Sequence, residues 1–367
     1  MQIIEIGKLL IYEQPSKYIV KSTEYDDYYA IPVLTAGKTF ILGYTDETDN
    51  VFDKLPVIIF DDFTTATKYV DFKFKVKSSA MKILHINQEL VLPKYIFYRL
   101  QTINIDHSTH KRYWIQQYSK IKITIPTIPE QERIVKQIEE AMSQLDSAVA
   151  TLKKTKQQLE IYRQAVLKEV FSSCDAVEIQ YVCEHVTDGD HMPPPKSEQG
   201  IPFIMISNIV GNTIDWNGTA FVSKEYYDKI GDKRTPQKGD VLYTVTGSFG
   251  IPVLIDFEKA FCFQRHIALL RPNDKIEQDF LYYALQDSTV YAQASKRATG
   301  TAQRTVGLTV LRTIKIPFTE SKEKQTKMVS IIKNRLSQCD IVEKTVNQSL
   351  QQAEALRQSI LKQAFEG

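Results

Sequence analysis

The chain has 367 residues, 43% hydrophobic and 25% charged, a composition that excludes wholesale disorder and leaves room for two or three domains. Lys and Arg number 46 against 44 Asp and Glu; the net charge of +2 excludes a histone-like polycation, although a nucleic-acid footprint needs only local basicity. No apolar run approaches the ~18 residues of a membrane span, and the opening Met1-Gln-Ile-Ile-Glu5 does not read as a signal peptide. Cys174, Cys183, Cys262 and Cys339 form no Cys-x-x-Cys pair, which predicts reduced thiols in a cytoplasmic protein without a membrane partner.

Residues 1–129 read as a mixed α+β module rich in strand formers. Ile31-Pro-Val-Leu34 and Val57-Ile-Ile-Phe60 are strand candidates, and residues 95–101 a short helix. Between them Phe72-Lys-Phe-Lys-Val-Lys77 alternates, placing Phe72, Phe74 and Val76 on a core face and Lys73, Lys75 and Lys77 on the other. Such a row either guards a sheet edge or contacts phosphate, with Lys68 beside it as a further candidate. His110, Lys111 and Arg112 set three donors next to Tyr113 and Trp114, a pattern suited to nucleic acid.

Residues 130–171 read as one long helix. Ile134, Ile138, Ala141, Leu145, Ala148, Leu152, Leu159, Tyr162 and Val166 follow alternating steps of four and three, interrupted only at Thr155. Pro129 and the acids after it mark the start. Basic and acidic residues balance along this stretch, so the rod suits packing better than phosphate binding.

Residues 172–319 resemble the first module at a drifting offset. Ile201-Pro-Phe-Ile204 matches Ile31-Pro-Val-Leu34, Val241-Leu-Tyr-Thr244 matches Val57-Ile-Ile-Phe60, and residues 280–286 match 95–101. Lys233, Arg234, Arg265 and His266 are candidate contacts, as are Thr246 and Ser248 beside Gly247. The loop 296–304 adds Arg297, Gln303 and Arg304 around Gly300; Arg can bond guanine bidentately and Gln adenine, and glycine permits close backbone approach. Taken alone, each of these side chains reads first as an ordinary solvated charge or polar group.

Residues 320–367 repeat the rod. Arg163-Gln-Ala-Val-Leu-Lys-Glu-Val-Phe171 recurs as Arg357-Gln-Ser-Ile-Leu-Lys-Gln-Ala-Phe365, an offset of 194 that also maps Gln131-Glu-Arg-Ile-Val135 onto Gln325-Thr-Lys-Met-Val329. Met328, Ile332, Cys339, Val342, Val346, Ala353, Leu356 and Ile360 form its stripe, with Arg335 and Ser349 on the seam. Two matched stripes in one chain predict an intramolecular coiled coil, antiparallel because the intervening chain must return to lay the second rod alongside the first.

The alternation of two variable modules with two matched rods resembles the DNA-specificity subunit of type I restriction–modification systems. Pro126-Thr-Ile-Pro-Glu-Gln-Glu-Arg-Ile-Val135, Asp188-Gly-Asp-His-Met-Pro-Pro-Pro195, Lys238-Gly-Asp-Val-Leu242 and Ser359-Ile-Leu-Lys-Gln-Ala-Phe365 carry the resemblance. Phe318-Thr-Glu-Ser-Lys-Glu-Lys-Gln325 departs from it by lacking the second proline turn, which leaves the start of the second rod open by a few residues. The resemblance implies an α+β fold: target-recognition domains at 1–129 and 172–319, and helical spacers at 130–171 and 320–367 packed as an antiparallel coiled coil. It also implies a non-catalytic subunit that reads a bipartite, asymmetric site in double-stranded DNA. No cofactor would lie in this chain. Two methyltransferase subunits binding S-adenosylmethionine would dock on the helices, with restriction and translocase subunits in the full complex. A variant places the chain in a related combined restriction-and-methylation enzyme.

Two rivals come from other classes. Asp61, Asp71 and Lys73 mimic a Mg-dependent nuclease, but no supporting acid is evident and Lys73 already belongs to the alternating strand. A coiled-coil scaffold without DNA function is the other. Asp188, Asp190 and His191 could hold a metal, yet the prolines that follow make the segment read as a structured turn.

Overall fold

The computed structural model describes residues 2–35, 39–103, 105, 112–191, 194–301 and 303–366. The chain divides into two compact units, Met1–Leu152 with Asn347–Gly367, and Lys153–Val346. Each unit contains one module and portions of both long helices.

In the first unit, Gln2–Glu5 pairs antiparallel with Lys122–Ile125, closing the module where the chain enters and leaves it. A four-stranded antiparallel sheet runs Leu10–Glu13, Met81–Ile86, Val57–Asp61, Thr67–Val70. A three-stranded sheet places Ile31–Leu34 between Ile41–Thr45, antiparallel, and Lys75–Val76, parallel. The uninterrupted apolar run Val57-Ile-Ile-Phe60 is explained by cores on both faces of its sheet. Ile58, Phe60 and Leu84 join the cluster that includes the helix Pro93–Leu100, while Val57, Ile59 and Ile83 join a second cluster behind them.

The second unit repeats this plan. Asp175–Glu178 pairs with Lys315–Phe318, the larger sheet runs Cys183–Asp188, Ile267–Pro272, Val241–Thr244, Pro252–Leu254, and Ile201–Ile204 lies between Ala220–Val222 and the parallel Cys262–Phe263. Val241 and Tyr243 again face one core, and Leu242 the other. All the strand and helix correspondences drawn between the modules therefore hold.

The long helices are Ile128–Val170 and Lys322–Glu366. Their starts lie 194 residues apart, so the missing proline turn does not move the second one. There the Lys324 amide donates to Ser321 Oγ at 3.3 Å, which satisfies one of the free N–H groups of the helix's first turn. Packing is antiparallel in both units. In the first, Leu361 is buried with Ile134, Ile138 and Met142, and Arg357 pairs with Asp146. In the second, Val166 and Leu167 pack with Val329, Ile332 and Leu336, while Arg163 pairs with Asp340 at 2.6 Å and Glu343 at 2.9 Å. The repeat offset maps Arg163–Asp340 directly onto Arg357–Asp146.

The seam itself needs correction at alternate positions. Ala148 and Tyr162 are exposed, as are Val342 and Leu356. The buried or half-buried line passes instead through Met142, Val149, Lys156 and Arg163 in one helix and Leu336, Glu343, Leu350 and Arg357 in the other. Lys156 and Arg163 keep a place there because their stems pack while their charged ends reach Glu343.

Candidate nucleic-acid interface

In the second module a continuous series of backbone bonds gathers the dispersed candidates at one edge. The Asp190 amide donates to the Phe263 carbonyl at 2.9 Å, and the Arg265 amide returns to the Asp190 carbonyl at 3.0 Å. Val245 donates to the His266 carbonyl at 2.9 Å, Val306 to the Val245 carbonyl at 2.8 Å, and Gly247 to the Arg304 carbonyl at 2.9 Å. Thr299 and Thr305 exchange two bonds, closing the predicted loop into a small hairpin. Gly300 has φ +102°, and a Cβ there would lie 2.4 Å from the Gln303 carbonyl oxygen, so the turn requires glycine. Arg265, His266, Ser248, Gln303 and Arg304 are thus brought together on neighbouring backbone.

A brace holds this edge from behind. Arg234 Nε donates to the Asp188 carbonyl at 3.0 Å, its Nη2 donates to the Gly189 carbonyl, and the guanidinium lies 3.5 Å from the Asp190 carboxylate. Tyr226 donates to the other Asp190 oxygen at 2.8 Å; burial and that hydrogen bond push its hydroxyl up to about 12, so it remains a donor throughout the neutral range. Gly189 is required because a Cβ would meet the Phe263 carbonyl oxygen at 1.9 Å. His191 pairs with Asp188 at 2.9 Å. Beside the brace lies a cavity of about 390 Å³ whose walls include Phe203, Met205, Phe221, Gln264, Arg265 and His266.

The candidates divide by what their side chains already do. Arg234 is the brace just described. Arg297 donates to Thr313 Oγ1 at 2.6 Å, fixing the end of its helix. Arg304 donates to the Ser295 carbonyl and lies 5.6 Å from the Phe249 ring centre, still on the surface. Thr246 is buried against Thr305, which removes it from the contact set: its turn points the hydroxyl into the module. Lys233, Ser248, Arg265, His266 and Gln303 make no side-chain hydrogen bond or ion pair among the described residues.

In the first module the alternating strand breaks down. Only Lys75–Val76 is strand, and Lys75 is buried, pairing with Glu47 at 2.8 Å and donating to the Asp49 carbonyl at 2.7 Å. Lys75 is therefore a structural cation, and Phe72 is on the surface in its stead. Burial by itself would raise the Glu47 carboxyl, but Lys75 and the Ser22 and Lys21 amides hold it down at about 2. Lys73 is exposed, Lys77 donates to the Tyr25 hydroxyl at 3.5 Å, and the Lys68 ammonium lies 5.8 Å from the Phe40 ring centre. Tyr113 and Trp114 are core residues, so they offer no stacking platform; Arg112 beside them is exposed, while His110 and Lys111 lie outside the described residues. Asp61 accepts from the Phe63 and Thr64 amides at 2.8 and 3.2 Å, closing a turn, and so is occupied in a way the nuclease arrangement does not require.

Sequence inspection did not identify the Arg234–Asp190–Tyr226 brace or the buried Gln131 and Gln325 at the helix feet. The glutamines were visible as the identical first residue of the repeated pentapeptide. The brace left no local signal, because its members come from three separate segments.

The family model for the type I restriction modification DNA specificity domain matches residues 1–161 and 179–352. The chain belongs to this family. The specificity subunit of the Escherichia coli type I restriction enzyme EcoR124I/EcoR124II is 46% identical over 176 residues, which span 45% of this chain and 44% of that protein. The MjaVIII specificity subunit of Methanocaldococcus jannaschii is 22% identical over 365 residues, spanning 88% of this chain and 83% of its own length. Against the E. coli relative, then, the match reaches less than half of either protein. A solved structure described as concerning complex assembly and conformational transition of the type I R-M system shares the fold. Its TM-score is 0.69 at 20% identity, over 99% of this chain and 97% of that one. The family match gives no support to a nuclease.

Proposed function

We propose that the chain is the non-catalytic DNA-specificity subunit of a type I restriction–modification complex. Each module reads one half of a bipartite, asymmetric duplex site. The paired helices dock two methyltransferase subunits, which carry S-adenosylmethionine, and restriction and translocase subunits complete the assembly in the cytoplasm. No cofactor is assigned to this chain. The observation that best supports the reading is the edge of the second module, where Arg265, His266, Ser248 and Gln303, none with a side-chain hydrogen bond or ion pair among the described residues, gather on a backbone braced by Arg234 and Asp190. Unpaired donors and acceptors on a fixed frame are what base-edge readout requires. Among the described residues no helix is long and apolar enough to cross a membrane, and no group of three His, Cys, Asp or Glu side chains could hold a metal ion.

The test is exchange of residues 172–333, the module with the foot of its helix, for the corresponding segment of another family member, followed by mapping of methylated sites in cells supplying the other subunits. One half of the modified sequence should change and the other persist. A change in both halves, or in neither, refutes independent reading.

A further inference from the structure

The two halves hold their modules with the same clasp and with opposite charge. In the first, buried Gln131 accepts from the Leu92 amide at 2.8 Å and donates to the carbonyls of Pro126 at 3.0 Å and Leu90 at 3.4 Å. In the second, buried Gln325 accepts from the Glu277 amide at 2.7 Å and donates to Thr319 at 2.7 Å and Lys275 at 2.8 Å. Every partner is backbone, so the clasp cannot distinguish one module from the other.

The side chains around it can. Two residues beyond the clasped amide, Lys94 pairs with Glu139 of the first helix. At the matching place Asp279 pairs with Lys333 of the second helix at 2.6 Å, the signs exchanged. The second half adds Glu277 with Lys322 at 3.1 Å, where the first half has the uncharged Leu92 and Ile128. One helix foot thus offers an anion and the other two cations, and each module presents the complement.

We infer that these pairs are an address: each helix foot selects its own recognition module by charge. The transferable unit therefore runs from the module through residue 139 or 333 and does not end where the module's last strand stops. A module set on the wrong foot keeps the glutamine clasp but brings Asp279 against Glu139, or Lys94 against Lys333. The inference concerns how a module is held and does not depend on DNA being read, so its failure and that of the proposed function are separate outcomes.

The experiment is thermal unfolding of the full chain. Lys94→Asp gives the first module the charge of the second, whereas Lys94→Gln only removes the pair. Lys94→Asp should lower Tm by about 1–4 °C, the scale for exposed pairs in units of this size, and by more than Lys94→Gln does. Adding Glu139→Lys should restore it, Asp279→Lys with Lys333→Glu should behave in mirror image, and the differences should shrink in about 1 M salt, where screening acts within about 3 Å. A chain whose residues 2–127 are replaced by a second copy of 175–321 should in turn be stabilised by Glu139→Lys; if that chimera does not fold, the point variants decide. An aspartate at 94 no worse than glutamine, or a double reversal as unstable as its worse single, overturns the inference.

Discussion

Replacing Gln131 by leucine tests the clasp with little change in volume. The side chain is fully buried and bridges the module's last turn, its 90–92 segment and the first turn of the long helix. Leucine leaves the Leu92 amide and the Pro126 carbonyl without their partners, and Leu90 loses a weaker one. An unsatisfied buried group costs about 1–3 kcal/mol; Leu90 is an exposed residue and leucine at 131 gains apolar contact, so the net loss should be roughly 2–4 kcal/mol. In a unit of this size that is a fall in Tm of about 5–15 °C. Gln131→Glu should cost at least as much, because both donors go and a carboxylate faces two carbonyls. Urea and thermal unfolding followed by circular dichroism give the number. Gln325→Leu should behave alike in the second unit, while Gln144→Leu on the exposed face of the same helix should stay within about 0.5 kcal/mol of the parent. A Gln131→Leu chain within that same margin would refute the reasoning.

Three further outcomes follow from the site. Lys75→Met should destabilise the first unit by roughly 2–4 kcal/mol, since it strands Glu47 in a largely buried place; a stable variant with weakened DNA binding would reverse the assignment of Lys75 to structure. Arg265→Ala and Gln303→Ala should each cost about 1–3 kcal/mol on the cognate duplex and little on random sequence in a fluorescence-anisotropy titration; equal losses would make them phosphate contacts. Glu47 is held at about 2, well below an unfolded carboxylate near 4.3, so its stabilisation is complete above about pH 4.5 and is lost as pH falls towards 2. The stability gap between the parent and Glu47→Gln should therefore narrow over that interval, and a gap independent of pH contradicts the assignment.

The architecture was legible because repetition carries information that single elements lack. An offset of 194 marked both helices, and it locates the second helix start correctly although the proline turn is missing there. The seam was misplaced at alternate positions for a physical reason. A count of apolar residues favours Ala148 and Tyr162 over Lys156 and Arg163, because the acids that neutralise those cations sit about 180 residues away in the other helix. Burial of a cation is decided by its partner, and the partner is invisible to local periodicity.

The same limit explains the lysine strand, and the second module supplies the correction. Parallel pairing sets Val33 opposite Lys75 and Leu34 opposite Val76, just as it sets Phe203 opposite Cys262 and Ile204 opposite Phe263. Lys75 therefore occupies the place of buried Cys262, and Lys77 the place of Gln264, next to the exposed Arg265. Lys73 corresponds to Ala260, which precedes the strand and lies outside the backbone series that organises the edge. Three lysines that look equivalent by alternation are thus one core cation, one at the start of the edge and one outlying charge. Lys77→Ala should weaken DNA binding in every sequence context and reduce the slope of log affinity against log salt by about 1. Lys73→Ala should change that slope by less than half as much. Measured on the intact complex between about 50 and 200 mM salt, equal effects of the two substitutions would show that the edge of the first module is not the counterpart of the second.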